Sequence, residues 1–294
     1  MDVDAYRRIS HERWERAAAG WARRRSAMQR LAAPVSEWMV SRIEPAPGQV
    51  ALELAAGPGD TGLMVAPRLA PGGRLICSDF SPAMLEVARE RARELGVANV
   101  DLRVLDAESL DLQSASVDAV LCRWGYMLMA DPQGALRESR RVLVARGRVA
   151  LAAWDAPQRN PWVSLPSDEA QRRSGEPPPP PGAPGMFAFA PPGHLEALLA
   201  RAGFEQIVVE GLDLEMTYAD FDDWWAATLD LSRPFADVVE SSTPAEVKDM
   251  RAALARAARP FTGAGGELRL PGRPLLAAAC APENAADRER VTDV

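Results

Sequence analysis

The stretch Glu53-Leu54-Ala55-Ala56-Gly57-Pro58-Gly59-Asp60-Thr61-Gly62 decides the fold. It follows directly on an apolar run, Val50 to Leu54, and precedes a helical pattern around Leu63 to Leu69. At such a strand-to-helix turn, glycines let the backbone bend tightly and let a ligand press against it, where a Cβ would fill the ligand's space. Gly57, Gly59 and Gly62 also satisfy G-x-G-x-x-G, the spacing that sets a pyrophosphate on a helix N-terminus. The glycines alone therefore leave a dinucleotide and other adenosine-bearing ligands open.

Outward from this turn, short apolar runs alternate with helical segments. The runs are Val50 to Leu54, Arg74 to Asp79, Asp101 to Leu105, Val117 to Cys122 and Arg148 to Ala153, and the helical stretches lie around Leu63 to Leu69, Pro82 to Leu95 and Gln133 to Val144. That alternation predicts parallel βαβ units with right-handed crossovers. Upstream, Trp14, Ala17, Ala18, Trp21, Met28, Leu31 and Val35 recur near the helical period, so residues 1–44 read as a helical cap. The catalytic core is expected over 45–155. Residues 156–192, with the proline run Pro177 to Pro181, read as a loop or lid that cannot be a continuous helix or a central strand. A helix His194 to Ala202 and a strand Gln206 to Tyr218 complete 193–218, and a helical lid insertion is expected over 219–266. A last strand with a Pro-Gly interruption falls in 267–281, and a flexible tail in 282–294.

Three acids narrow the ligand. Glu53, at the end of the first strand, is placed to attract a cationic group and to repel a pyrophosphate. Asp79, ending the second strand, is placed to accept both ribose hydroxyl protons, each charge-assisted bond contributing about 1.5 to 3 kcal/mol. Asp106 and the backbone of Ala107, after the third strand, suit the edge of an adenine whose face Phe80 and Met84 can cover.

With these residues in place, ELAAGPGDTG, CSDFSPAML, VLDAESL, the VDAVLCRWGYMLMADP run and the LRESRRVLVARGRVALAAW run resemble the successive motifs of class I S-adenosylmethionine-dependent methyltransferases. Their order is similar to that of the branch containing the ubiquinone and menaquinone biosynthesis C-methyltransferases, over residues 48–155. The resemblance implies an α/β fold with a Rossmann-like, seven-stranded, mostly parallel sheet, helices on both faces and an inverted last strand. It implies S-adenosyl-L-methionine as cofactor, with the methionine moiety on Ala55, Gly57 and Gly59, the ribose on Asp79, the adenine amine on Asp106 with Ala107, and the methyl-transfer site lined by Arg123 and Trp124. Trp21 joins the site because the leading helices of such enzymes often fold over the donor. The family often carries glycine where this chain has Ala55.

The 294 residues carry a formal net charge of -7, which argues against a nucleic-acid partner, since phosphates are gripped mainly by Lys and Arg. A small-molecule methyl acceptor fits better. Trp124, Tyr126, Met127, Met129, Met186, Phe187, Phe189, Trp224 and Trp225 suggest an apolar or aromatic one, unless they form only a packed lid. Trp124 and Tyr126 are the candidates for the catalytic site, Tyr126 to orient or deprotonate the acceptor. Whether O, N or C is methylated stays open. Without clustered carboxylates no metal is expected, and Cys77, Cys122 and Cys280 read as small buried hydrophobes. No run approaches a membrane span and no signal peptide is visible, so a cytoplasmic enzyme is expected, with a homodimer as one option for its assembly. The rival readings are an NAD(P)-dependent oxidoreductase, disfavoured by the absence of a Tyr-x-x-x-Lys pair and by Glu53, and a donor-binding protein of cyclase or decarboxylase type.

Overall fold

The computed structural model describes residues 2–175, 180 and 182–283. In chain order these form α1 (Val3–Ile43), β1 (Val50–Glu53), α2 (Asp60–Leu69), β2 (Arg74–Asp79), α3 (Pro82–Glu94), β3 (Val100–Val104), β4 (Val117–Arg123), α4 (Pro132–Val142) and β5 (Leu143–Trp154). There follow α5 (Pro161–Ser174), α6 (His194–Arg201), β6 (Glu205–Gly211), β7 (Leu214–Tyr218), α7 (Phe221–Leu231), α8 (Arg233–Ser241), α9 (Pro244–Ala258), β8 (Leu268–Gly272) and β9 (Pro274–Cys280).

Seven strands join in the order β3-β2-β1-β4-β5-β9-β6, parallel except for β9, which runs antiparallel to β5 and β6. The central strands are apolar without alternation because helices cover the sheet on both sides. Leu52, Leu75, Val120 and Leu151 are fully buried. One helical layer joins α1, α2 and α3, and another joins α4 and α6. Helix starts follow from local capping: Asp2, Ser81, Asp131 and Thr243 each accept backbone N–H groups of the turn they precede. Because the order reverses between β1 and β4, their carboxyl ends flank a crevice, the usual ligand position in such sheets.

Three expectations need correction. The segment read as loop between Asp155 and Pro192 contains α5, whose Pro161 sits in the first turn, where a missing N–H costs nothing. Asn160 secures that start, donating to the Asp155 carbonyl and accepting from the Arg273 N–H. Four residues of the proline run, 177–179 and 181, lie outside the described residues, as does most of the tail, 284–294. The strand expected from Gln206 to Tyr218 is two: β6 edges the main sheet, while β7 leaves it to pair with β8. Likewise the expected last strand is two, β8 ending on Pro271 and Gly272 and β9 starting at Pro274, so the chain passes between sheets at 212–213 and at Arg273. An ion pair of Arg273 with Asp213 (2.5 Å) ties the two passages together.

Helices α7, α8 and α9 pack with α5 as a cap, and α1 runs beside α7. Gly20 makes that approach possible, since a Cβ there would lie 2.0 Å from the Asp230 carbonyl oxygen. Arg24 bridges Asp223 (2.7 Å) and Asp230 (2.8 Å) along the same seam. Partly exposed pairs of this kind contribute only about 0–1 kcal/mol each, so the close helix contact does more to hold α1. Among the described residues no helix is long and apolar enough to cross a membrane.

Candidate active site

At the β1 tip, Glu53 is 2% exposed and its carboxylate accepts the Gly62 N–H. A Cβ at Gly62 would stand 2.3 Å from Glu53 Oε2, so the third glycine of the motif makes room for this acid. Burial pushes the Glu53 pKa up to about 8, against the pull of Arg123. Asp79 lies at the adjoining β2 tip, 5% exposed, accepting from Gly57 N and Ser81 N at 2.9 Å each. Burial raises its pKa to about 6 despite those bonds. The backbone N–H of Phe80 also reaches this carboxylate, and of the about four acceptor positions of an ionised carboxylate at least one remains for a hydroxyl donor.

The glycine loop between these acids is left-handed at Ala55 (φ 49°), Gly57 (φ 53°) and Gly59 (φ 77°). Alanine at 55 accepts a conformation that glycine would take freely, and the structure shows what accommodates its methyl group. Gly125, beyond the β4 tip, has no Cβ; one there would lie 2.6 Å from the Ala55 Cβ. A Cβ at Gly57 would meet nothing within 4 Å, so the loop backbone there borders open space.

Across the crevice, Arg123 ends β4 with its side chain only 7% exposed. Its NH2 stands 4.0 Å from Asp60 Oδ2, while NH1 has no hydrogen-bond partner. Asp60, the first residue of α2, likewise has no hydrogen bond at Oδ1, which stands 4.0 Å from Arg91 Nε. Burial lowers the Arg123 pKa and raises that of Asp60, each acting against the attraction between them. Trp124 follows in a left-handed conformation (φ 63°), its N–H bonded to the Ala152 carbonyl at 2.8 Å. Arg123 lies over its ring at 4.7 Å and Trp154 stacks on it at 4.7 Å. Two non-glycine residues in the left-handed region, Ala55 and Trp124, thus flank the switch point, each carrying about 1–2 kcal/mol of backbone strain.

Helix α1 spans the remaining side. Tyr6 donates to the Leu128 carbonyl beyond β4 (2.7 Å), Arg7 pairs with Glu108 beyond β3, and the His11 ring meets Phe80 edge-on at 5.4 Å. Glu15 Oε1 accepts from Ser81 Oγ (2.6 Å) and Ala83 N (3.2 Å), bonds that hold its pKa below the usual value. One helix therefore contacts the loops after three strands.

The residues singled out in the sequence divide accordingly. Glu53, Ala55, Gly57, Gly59, Asp79 and Arg123 meet at the β1, β2 and β4 tips. Asp106 is exposed in the next loop, its Oδ1 taken by Glu108 N (2.9 Å), and Ala107 is buried beside it. Met84 is 1% exposed and packs under Ala17 and Ala18 of α1. Trp21 lies against the same cluster, 5.9 Å from Trp14, its indole N–H unpartnered. Tyr126 is 1% exposed, on the core side of the two readings its sequence position allows. Its hydroxyl is buried 2.6 Å from Ser139 Oγ on α4, and Ser139 donates onward to Ala135, so the phenol is committed to packing. Cys280 is partly exposed, unlike the buried Cys77 and Cys122. Among the described residues no group of His, Cys, Asp and Glu is placed to hold a metal ion. Sequence reading missed Asp60, Glu15, Gly125 and Trp154. Asp60 alone carried a local signal, an acid at the first turn of a helix beginning in the glycine motif.

The buried atoms left unpartnered test the expected cofactor. Arg123 NH1 needs an acceptor and Asp60 Oδ1 needs a donor, which a zwitterionic amino-acid group supplies together. Asp79 suits its ribose, and Asp106, Ala107 and Phe80 its adenine. The residues fit S-adenosylmethionine.

The described family model, a methyltransferase domain, matches residues 51–147. The chain is 38% identical over 117 residues to a demethylmenaquinone methyltransferase of Thermus thermophilus, covering 39% of this chain and 51% of that one. It is 31% identical over 183 residues to a ubiquinone/menaquinone biosynthesis C-methyltransferase of Acidiphilium cryptum, covering 59% of this chain and 73% of that one. The YcgJ protein of Bacillus subtilis shares the fold with a TM-score of 0.58 at 22% identity, over 85% of this chain and 98% of that one. The chain belongs to the class I S-adenosylmethionine-dependent methyltransferase family. Its match spans about half the length of the Thermus relative and more of the Acidiphilium one.

Proposed function

We propose that this protein transfers a methyl group from S-adenosylmethionine to a small, apolar or aromatic acceptor. The observation that carries the reading is a pair of buried atoms with no hydrogen bond, Arg123 NH1 and Asp60 Oδ1, at the switch point of a methyltransferase sheet. In this reading Arg123 takes the carboxylate of the methionine moiety, and Asp60, with Glu53 behind it, faces the ammonium. Asp79 holds the ribose, while Asp106, Ala107 and Phe80 hold the adenine.

The bound donor supplies an activated methyl group on a sulfonium. The protein's task is then to orient the acceptor and exclude water, which at effective molarities of about 10⁵ M or more supplies most of the acceleration without a base. Helix α1 excludes water by contacting the β2, β3 and β4 loops. Trp124, held by its strained backbone and by Trp154, borders the acceptor side. Tyr126, bonded to Ser139, supports the β4 loop from behind.

The test is incubation with isotope-labelled donor and a panel of hydroxylated and unsubstituted aromatic compounds. Label and the mass of one added methylene should appear in an acceptor. Donor binding without any labelled product across the panel would favour a non-methylating role.

A further inference from the structure

We infer that Arg91 is a positioning residue for donor recognition, drawing Asp60 away from Arg123 so that the two stay open to the donor's amino-acid end. This rests on the donor-binding reading and adds to it a residue that touches no part of the donor. Arg91 lies on α3, outside the glycine turn and outside every strand tip.

Asp60 stands between two guanidinium groups. Its Oδ1 is 4.0 Å from Arg91 Nε, and its Oδ2 is 4.0 Å from Arg123 NH2. Both separations exceed a hydrogen bond, which needs about 2.7–3.2 Å between nitrogen and oxygen. Arg91 Nε, Arg123 NH1 and Asp60 Oδ1 are all buried without such a bond. A buried aspartate facing a single arginine ordinarily closes on it, because a charge-assisted bond satisfies both desolvated groups. Two cations at equal distances from the two oxygens of one carboxylate pull with comparable strength, since Coulomb energy at a given dielectric follows separation. Closure on either one is thereby resisted.

Arg91 is itself held back from Asp60. Its NH1 donates to Glu94 of the same helix (3.1 Å) and its NH2 donates to Gln29 of α1 (3.1 Å). Arg25 of α1 binds the same Glu94 at 2.8 Å, and it too acts on the Asp60 carboxylate. The guanidinium is thus anchored at its outer end by α1 and α3 while Nε faces the acid. With an uncharged residue at position 91, Asp60 would face Arg123 alone and close on it. The donor's carboxylate and ammonium would then have to break a hydrogen-bonded ion pair before binding.

The experiment titrates the full chain with S-adenosylmethionine and with methylthioadenosine, a nucleoside without the amino-acid end. It compares the intact protein, Arg91→Met, Asp60→Asn and the double variant, with Arg91→Gln, which keeps a polar group beside Gln29 and Glu94, read alongside Arg91→Met as the gentler change. Loss of the charge at position 91 should lower the preference for S-adenosylmethionine about tenfold, with methylthioadenosine affinity unchanged. On the Asp60→Asn background no carboxylate is left to close on Arg123, so the same loss should move the preference by less than about twofold. An unchanged preference in the single Arg91 variants would overturn the role given to Arg91. Equal weakening of both ligands, the mark of a purely structural residue, would overturn it too, as would an undiminished effect on the Asp60→Asn background. An intact protein that does not distinguish the two compounds would instead overturn the donor-binding reading.

Discussion

The two sides of the switch point are built on different plans. At the β1 and β2 tips, Glu53 and Asp79 are buried carboxylates whose oxygens are held by backbone N–H groups of Gly62, Gly57 and Ser81. At the β4 and β5 tips, Trp124 and Trp154 stack, and Arg123 NH1 and Trp124 Nε1 have no hydrogen-bond partner. On the first side the carboxylates are held by backbone bonds, an arrangement that in the proposed reading receives the nucleoside of the donor. The second side keeps unmet hydrogen-bonding demand, which only a ligand of suitable shape removes. In the proposed reading the donor's nucleoside is held by local geometry, while its amino-acid end and the acceptor are held by parts brought together by the fold.

The largest expected effect tests the first side. Asp79→Ala should weaken S-adenosylmethionine binding by about 2 kcal/mol or more, roughly thirtyfold, through loss of the ribose bonds. Calorimetry with circular dichroism as a folding control measures it, and unchanged affinity would remove Asp79 from the site. Next, Trp124→Ala should lower turnover or shift acceptor preference by about tenfold while donor affinity stays near that of the intact protein. A variant impaired only in donor affinity would place this ring on the wrong side of the comparison.

A smaller effect concerns pH. Glu53 has a folded-state pKa of about 8 against an ordinary 4.5, so its ionised form is the costly one in the fold. Its contribution to stability is full below about pH 4.5 and is lost as pH rises through about 8. A cationic donor favours the ionised form, so donor affinity should rise as pH increases from 6 toward 8. Glu53→Gln should flatten that affinity profile and raise the melting temperature at pH 8.5 relative to the parent, with little difference at pH 4.5. Parallel profiles in both proteins would separate Glu53 from the donor. The smallest effect is Ala55→Gly, which relieves a left-handed alanine and should recover about 1 kcal/mol of strain, less the entropy that glycine adds to the unfolded chain. A thermal melt showing clear destabilisation would mean that the Ala55 methyl packs productively against Gly125.

What could be read in the sequence divides along the same line. The β1 turn, the acids at 53, 79 and 106 and the parallel strand order all follow from short-range patterns, because a βαβ unit writes its turn chemistry into adjacent residues. The cap did not announce itself in that way. Helix α5 was hidden by prolines that look like breakers, although Pro161 occupies the one turn where proline is harmless. The runs 206–218 and 268–281 look continuous because apolar alternation does not record which sheet a strand joins; Arg273 and Asp213 mark the crossing only once both are placed in space. Tyr126 looked available because it follows Trp124 closely, yet the turn after Gly125 directs its hydroxyl to Ser139. Trp154 carries no motif, and its relation to Trp124 exists only in three dimensions.

In the proposed reading donor recognition depends on Arg123 and Asp60, 4.0 Å apart at the switch point, and one binding comparison addresses it. Titration of the intact protein and of Arg123→Met with S-adenosylmethionine and with methylthioadenosine, which lacks the amino-acid end, separates that end from the nucleoside. The intact protein should prefer S-adenosylmethionine by about a hundredfold, near 2.7 kcal/mol, and the variant should lose most of that preference while binding methylthioadenosine as before. Equal affinity of the intact protein for the two compounds, or a preference that survives in Arg123→Met, would contradict the account.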